Sequence, residues 1–600
     1  MLGVESAPAK VFTSFTQWLD RTVGWDRLPR PLGLLTLYGI RLRLRKRNLV
    51  DTGNTDPLEA PVMPPGNLTR RTLDGSYNDL DNPAMGSIGS RFGRNVPLDL
   101  TFPEEETSLL DPNPRLVSRE LLTRQEFVPA TTLNVLAAAW LQFEVHDWFS
   151  HGKNDVENPW KLPVDPDDDW PERPMRVQRT RKDPTWTNKG TPPTFVTADS
   201  HWWDGSQIYG SEEAFATKIR SGERGKLRLD ELGLLPRDLE EGVDLSGVAG
   251  NWWVGLALLH TLFTLEHNAI CDRLATEFSM WSDEELYHRA RLINAALMAK
   301  IHTVEWTPAI IAHPTTRLAM NANWWGLVGE RATRRFGRLG PSDLISGVPG
   351  SPTKHHGVPY SLTEEFVAVY RMHPLLPDDF TFRSCQSNEV MQRHSFPELG
   401  ALQARTRLEE LSIPNALYSF GIAHPGAITL HNYPRFLQRL ERPDGAIVDL
   451  AATDVLRNRE RGVPRYNEFR RLFHLKPAET FDQLTGNASW ANEIREVYNN
   501  DLSRVDLMIG LYAERLPEGF GFSDTAFRVF SLMAPRRLKS DRFFTVDYTP
   551  DVYTKVGLEW IDETTMSDVI LRHFPQLKPS LLGVGNAFSP WDKVTGERLP

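Results

Sequence analysis

Glu364-Glu365-Phe366-Val367-Ala368-Val369-Tyr370-Arg371-Met372-His373-Pro374-Leu375-Leu376-Pro377-Asp378 is the stretch on which the reading of this chain turns. Ser361 and Glu364 have the spacing of a capping box, which predicts a helix start there. Pro374 biases the residue before it out of the helical region, so the helix is expected to end at His373. Tyr370 and His373 lie three positions apart and would share one helix face. One helical turn would then present a metal ligand beside a redox-capable phenol.

Working outward, long helical patterns run over 131–149, 253–278, 284–307 and 363–373. No strand-helix alternation and no GxGxxG occurs, which disfavours a doubly wound nucleotide fold. The expected class is mainly α, with few short strands. The 600 residues, 40% hydrophobic and 24% charged with 18 Trp and 44 Pro, suit one large domain with an aromatic-rich pocket. That domain is expected over 57–600, after a helical segment over 1–56. A Pro/Asp-rich passage over 158–193 reads as a surface excursion, not a second boundary.

In the first segment Phe12, Phe15, Trp18, Leu19 and Val23 fall at helical spacing. An apolar stretch over 32–40 then meets the basic residues Arg41, Arg43, Arg45, Lys46 and Arg47. Such a pairing can rest on an anionic membrane surface, and packing of the same helices on the main body is the alternative. A net charge of −10 with scattered basic residues argues against a nucleic-acid partner. Two cysteines, Cys271 and Cys385, exclude a disulfide framework and fit a reducing compartment. No apolar run approaches the roughly 20 residues that span a bilayer, so the expected location is intracellular, cytoplasmic or peripheral to a membrane.

Two further stretches carry chemistry. Gln142 and His146 are i,i+4 neighbours, with Ala137, Ala138 and Ala139 one turn earlier, where a flat cofactor could approach closely. A neutral imidazole there can move a proton between the oxygens of a peroxide, although a histidine in such a place also serves as a hydrogen-bonded core residue. Ser200, Trp202, Asp204 and Ser206 can offer hydroxyl, backbone carbonyl, carboxylate and hydroxyl oxygens at alternate positions, the set that Ca2+ prefers. Asp147 could complete it; the structural alternative is a polar turn.

Taken together, these stretches resemble the animal-type haem peroxidase and cyclooxygenase superfamily. Gln142-x-x-x-His146-Asp147 looks like its distal helix and Ser200 to Tyr209 like its calcium loop. Leu259 to Phe263 with Glu266-His267-Asn268 looks like its central helix. Tyr370-x-x-His373-Pro374 looks like its proximal segment, and Arg461-Gly462-Val463-Pro464-Arg465-Tyr466-Asn467 like a further marker. The order along the chain is the family's order. The implied fold is the helical domain of that superfamily, with haem b held noncovalently through His373.

Departures narrow the resemblance. Val145 stands where a haem-esterifying carboxylate would precede the histidine, and 249–252 lacks the peroxidase arginine and second carboxylate. Two cysteines cannot build the growth-factor module of cyclooxygenases. Whole phrases are instead similar to the fatty-acid α-dioxygenases of plants and bacteria, among them Trp202-Trp203-Asp204-Gly205-Ser206, Leu430-His431-Asn432-Tyr433-Pro434 and Gly557-Leu558-Glu559-Trp560.

That resemblance implies partners and roles. The substrates would be a fatty acid and O2, and the product a 2-hydroperoxy fatty acid. Tyr370 would carry the radical, with His146 and Gln142 on the opposite haem face. His302, Thr307 and Arg537 would grip the carboxylate, with Arg536 and Arg542 as rivals for the last role; Asn432 could hydrogen-bond His373. Calcium would be structural, on Asp147, Ser200, Trp202, Asp204 and Ser206. A haem peroxidase acting on small organic substrates and a non-enzymatic helical calcium-binding protein are the alternatives.

Overall fold

The structure is a computed structural model that describes residues 7–53, 68–187, 190–238, 242–248, 250–442 and 445–597. The helices that position the site are α1 (Ala7–Thr22), α2 (Arg30–Arg47), α3 (Val135–Val145), α4 (Val254–Glu277) and α5 (Asp283–Ile301). They are followed by α6 (Pro314–Trp325), α7 (Glu364–Val369), α8 (Leu450–Glu460) and α9 (Asp524–Lys539). Strands are few, in separate two-stranded antiparallel sheets.

Helix α4 is apolar nearly all round, and Leu256, Ala257, Leu258, Leu259, Leu262 and Phe263 are fully buried. A helix with no polar face belongs at the centre of a large core, and α3 and α5 both pack on it. Helix α5 opens with a capping box between Ser282 and Glu285. The expected helix over 284–307 is interrupted, because α5 ends at Ile301 and a π-helical turn, His302–Trp306, follows before Thr307–Ile310.

Other expectations shift. The Pro/Asp-rich passage contains most of a hairpin, Asp155–Leu162 paired with Met175–Arg179, whose Trp160, Leu162, Met175 and Val177 form a small core with Leu109 and Leu456. Helices α1 and α2 pack on each other, and α2 packs on α6 and α9, so the body reading of this segment holds for α2. Arg41 and Arg45 are half-buried with guanidinium nitrogens turned inward, while Lys46 and Arg47 stay exposed. On α1, Val11, Phe15 and Trp18 are exposed. The expected junction at 56/57 lies outside the described residues.

Candidate active site

Helix α7 carries Tyr370 at its end, but Thr363 caps it, not Ser361: Thr363 Oγ1 accepts from Phe366 N at 3.2 Å. The two glutamates of the first turn anchor the helix in the core. Glu364 lies 3.0 Å from His151 Nε2 and 3.6 Å from Arg461. Burial would raise its pKa, yet His151 and Arg461 outweigh burial and hold it down to about 2. Glu365 accepts from Arg94 Nε at 2.9 Å and Asn95 N at 2.7 Å. Arg94 also donates to the carbonyls of Arg461 and Gly462, both at 2.7 Å, which gives that marker segment a structural task.

The helix stops at Val369. Tyr370 is the C-cap, and His373 opens a separate 3-10 turn, His373–Leu375. The expected shared face on one continuous helix is therefore not what is found; the chain bends between the two residues ahead of Pro374. The Tyr370 ring is 4% exposed and boxed by Phe366, Phe149, Phe530 and Trp148 at 4.5, 5.8, 6.0 and 6.1 Å. Its hydroxyl has no hydrogen-bond partner among the described residues, and burial pushes the phenol pKa well above its usual value. The phenol is therefore neutral, suited to giving up a hydrogen atom and not a bare proton.

His373 Nδ1 lies 2.8 Å from Asp454 Oδ2 on α8. Asp454 also pairs with Arg371 and accepts from Tyr433 Oη at 3.0 Å. Burial opposes its ionisation, but Arg371 and His373 hold it down to about 2. Asn432, expected beside His373, spends its amide elsewhere: Nδ2 donates to Val128 and Ala427 carbonyls, and Oδ1 accepts from Arg124 at 2.9 Å. Asp454 is the partner that sequence reasoning missed, since nothing local to residue 454 points to a histidine so far back in the chain.

On α3, Asn134 caps the helix by accepting from Ala137 N at 3.1 Å. Gln142 and His146 then reach the same segment. Gln142 Oε1 accepts from Trp253 Nε1 at 2.7 Å, and His146 Nε2 lies 2.5 Å from the Gly250 carbonyl. Burial lowers the His146 pKa to about 4, so the imidazole is neutral at physiological pH.

Trp148 joins the remaining residues. Its ring lies 5.6 Å from that of His302, and the Arg537 guanidinium sits 3.6 Å over it. The π-helical turn matters here: Thr307 N donates to His302 O, so residues five apart come into register, where an α-helix would send them to different faces. His302 Nδ1 accepts from Trp140 Nε1 at 3.2 Å, leaving Nε2 buried and without a partner among the described residues. Burial and then Arg537 depress the His302 pKa to about 3. Arg537 is 1% exposed; Nη2 donates to the Trp202 carbonyl at 2.9 Å, while Nε and Nη1 have no partner among the described residues. Arg536 turns to the carbonyls of Val358 and Pro359 at 2.7 and 3.0 Å, and Arg542 to the Leu68 carbonyl at 2.6 Å. Trp148 itself was missed, although it stands two residues after His146.

In the 200–206 loop Ser200 Oγ donates to Asp204 Oδ2 at 2.7 Å, and Ser206 Oγ to Asp147 Oδ2 at 2.5 Å. Gly205 turns the chain with φ 77°. Asp147 Oδ1 is buried and has no partner among the described residues. Burial, with Asp204 and Asp199 nearby, pushes the Asp147 pKa up to about 8 against the pull of Ser206 and Arg537. An unpaired oxygen and two close carboxylates fit a hard cation. Among the described residues no group of three or more His, Cys, Asp or Glu is gathered for a metal, so hydroxyl and carbonyl oxygens would have to complete the set.

A family model described as animal haem peroxidase matches residues 70–582, and the chain belongs to that family. It is 38% identical to Alpha-dioxygenase PIOX of Oryza sativa subsp. japonica over 600 residues, covering 97% of this chain and 96% of that protein. It is 39% identical to Alpha-dioxygenase 2 of Arabidopsis thaliana, over 96% of this chain and 92% of the relative. A crystal structure of Oryza sativa fatty acid alpha-dioxygenase superposes with a TM-score of 0.90 at 37% identity, covering 98% of this chain and 97% of that one. A tyrosine-to-phenylalanine form of the same enzyme with palmitic acid gives a TM-score of 0.90, with 98% of each chain covered.

Proposed function

We propose that this protein is a fatty-acid α-dioxygenase that adds O2 at carbon 2 and releases a 2-hydroperoxy fatty acid. The observation that carries this reading is the group of buried polar atoms without partners around Trp148: Arg537 Nε and Nη1, His302 Nε2 and the Tyr370 hydroxyl. Arginine can take a carboxylate with two charge-assisted hydrogen bonds, and His302 with Thr307 can meet the remaining lone pairs. A head group so held would set carbon 2 against the phenol, where a displacement of about an ångström costs of order a hundredfold in rate.

The family implies haem, and the residues present fit it. Asp454 Oδ2 lies 2.8 Å from His373 Nδ1, so Nε2 would be the nitrogen that holds the iron. Val145 offers no carboxylate beside His146, so the attachment would be noncovalent. When bound, haem supplies the one-electron oxidising power that makes the Tyr370 radical. His146 would accept and return a proton at a peroxide oxygen, and Gln142 would orient it through the 251–253 segment. The Tyr370 oxygen takes one hydrogen atom from carbon 2, O2 adds to the carbon radical, and the peroxyl radical recovers a hydrogen atom from Tyr370. Aromatic rings round the phenol keep the radical from water.

Calcium on Asp147, Asp204, Ser200, Ser206 and the Trp202 carbonyl would fix the loop beneath Arg537. The exposed Val11, Phe15 and Trp18 of α1 support peripheral contact with a lipid surface, from which a fatty acid would arrive. Among the described residues no helix is long and apolar enough to cross a membrane. The test is product analysis by mass spectrometry after the haem-supplied protein meets palmitic acid and O2. A 2-hydroperoxide, or the aldehyde one carbon shorter, is expected, and both should vanish in Tyr370→Phe while the Soret band stays. Full oxygen uptake by Tyr370→Phe would refute the radical assignment.

A further inference from the structure

We propose that the buried junction where α2 packs on α6 and α9 binds a phosphate-type oxyanion, with Arg41, Arg45 and His356 as its principal donors. Arg41 and Arg45 are one turn apart on α2, on the same side of the helix. Arg41 Nη1 donates to Asn323 Oδ1 of α6 at 3.0 Å. Its Nε and Nη2, and the Nε and Nη2 of Arg45, are buried with no hydrogen-bond partner among the described residues. Arg536, 2% exposed, holds the loop that carries His356: its Nη2 is spent on the His355, Val358 and Pro359 carbonyls, and its Nε has no partner among the described residues. The Nε2 of His356 is likewise buried with no partner among the described residues.

The charges do not balance. Among the described residues the acidic side chain beside Arg41 and Arg45 is Asp343, and it is divided between Lys539, Arg41 and Arg45. Lys539 Nζ stands 3.7 Å from it and donates to Ser351 Oγ at 2.6 Å. The excess of cation registers on its neighbour: burial, then Arg45, Arg536 and Arg41, push His356 down to about 3. Removing two guanidinium groups from water without giving their donors acceptors is costly. An anion recovers that cost, because guanidinium edges pair bidentately with oxyanions. Two weakly neutralised cations and several free N–H groups suit a dianionic phosphate, with its three free oxygens, better than a single carboxylate. Arg536 turns to the Val358 and Pro359 carbonyls and the neighbouring Arg537 to the Trp202 carbonyl, so this site is separate from the proposed substrate clamp and does not depend on it.

Free phosphate compounds and the headgroup of a phosphomonoester lipid share this chemistry, and the experiment separates them. The full chain is melted in inorganic phosphate and in sodium chloride of matched ionic strength. A saturable rise of about 2 °C or more over chloride is expected. It should vanish in the Arg41→Gln/Arg45→Gln double variant, whose melting temperature without phosphate should be no lower than that of the parent, since uncompensated buried charge has gone. Asp343→Asn, which removes the competing carboxylate, should bind phosphate several-fold tighter. Phosphatidylcholine vesicles with about one phosphatidic acid in five lipids form the second arm. Co-sedimentation that the double variant loses and inorganic phosphate displaces assigns the site to a headgroup. Stabilisation by phosphate without vesicle binding assigns it to a soluble phosphate. A phosphate shift no larger than that of chloride, one that survives in the double variant, or no tightening in Asp343→Asn would overturn the proposal.

Discussion

Arg537 donates from Nη2 to the backbone carbonyl of Trp202 at 2.9 Å, which ties the proposed carboxylate anchor to the loop proposed for calcium. That bond and the Trp148 ring hold the guanidinium in place before any substrate arrives, and leave Nε and Nη1 open toward it. Pre-orientation of this kind lowers the cost of binding.

Replacing that arginine should therefore disable oxygenation without harming the haem site. For Arg537→Gln, kcat/KM for palmitic acid should fall by about a hundredfold, or about 3 kcal/mol for one lost charge-assisted pair. The Soret spectrum and peroxide-dependent oxidation of a small phenol should persist. Oxygen uptake near the parent level would remove Arg537 from the clamp and reopen the choice between Arg536 and Arg542.

The same loop predicts how calcium and pH interact. Burial raises Glu144 and Asp147, each to about 8. A carboxyl whose folded pKa is raised contributes its full stability below its unfolded pKa and loses it as pH climbs toward the folded value. The metal-free protein should thus lose stability between about pH 5 and about pH 8. Calcium favours the ionised Asp147, so its stabilising effect should be larger at about pH 8 than at about pH 6. Melting curves in calcium and in chelator at both pH values measure the gap; an equal gap would count against Asp147 as a ligand.

On the other side of the site, Asp454 should govern the electron richness of His373. Asp454→Asn removes the anionic partner at 2.8 Å. Haem affinity should drop by about tenfold to a hundredfold and the reduction potential should rise. Titration followed at the Soret band and spectroelectrochemistry report the two quantities. An unchanged potential would mean that the contact does not act on the ligand.

Gly462 offers a test of the scaffold alone. Its φ is 64°, and a Cβ there would lie 1.9 Å from the Thr101 carbonyl oxygen. Gly462→Ala should destabilise by about 3 kcal/mol or more, through backbone strain and a clash with rigid main chain. Because Arg94 holds this carbonyl and also Glu365, oxygenation should fall along with stability. A variant as stable as the parent would show that the turn relaxes freely.

Much of the fold was legible because it is written locally. The helical pattern of α4 predicts a helix over 253–278, close to the observed Val254–Glu277. Histidines, a tyrosine and oxygen-bearing residues in the family's order gave the class. Capping was harder, since Ser361 and Thr363 are chemically alike and the choice rests on which hydroxyl meets Phe366 N.

What the chain determined by itself is what periodicity and composition can hold: a mainly helical domain, the order of its chemical stretches, and the pairing of Gln142 with His146 on one turn. Only tertiary packing decided which groups converge. Trp148, His302, Tyr370 and Arg537 come from four separate segments and meet at one indole ring. Three arginines near the end of α9 are equivalent as letters, and their carbonyl partners alone send Arg537 to that ring and Arg536 away from it. The reason is physical: a buried polar group takes its direction from the acceptors that packing brings within reach, and those lie hundreds of residues away.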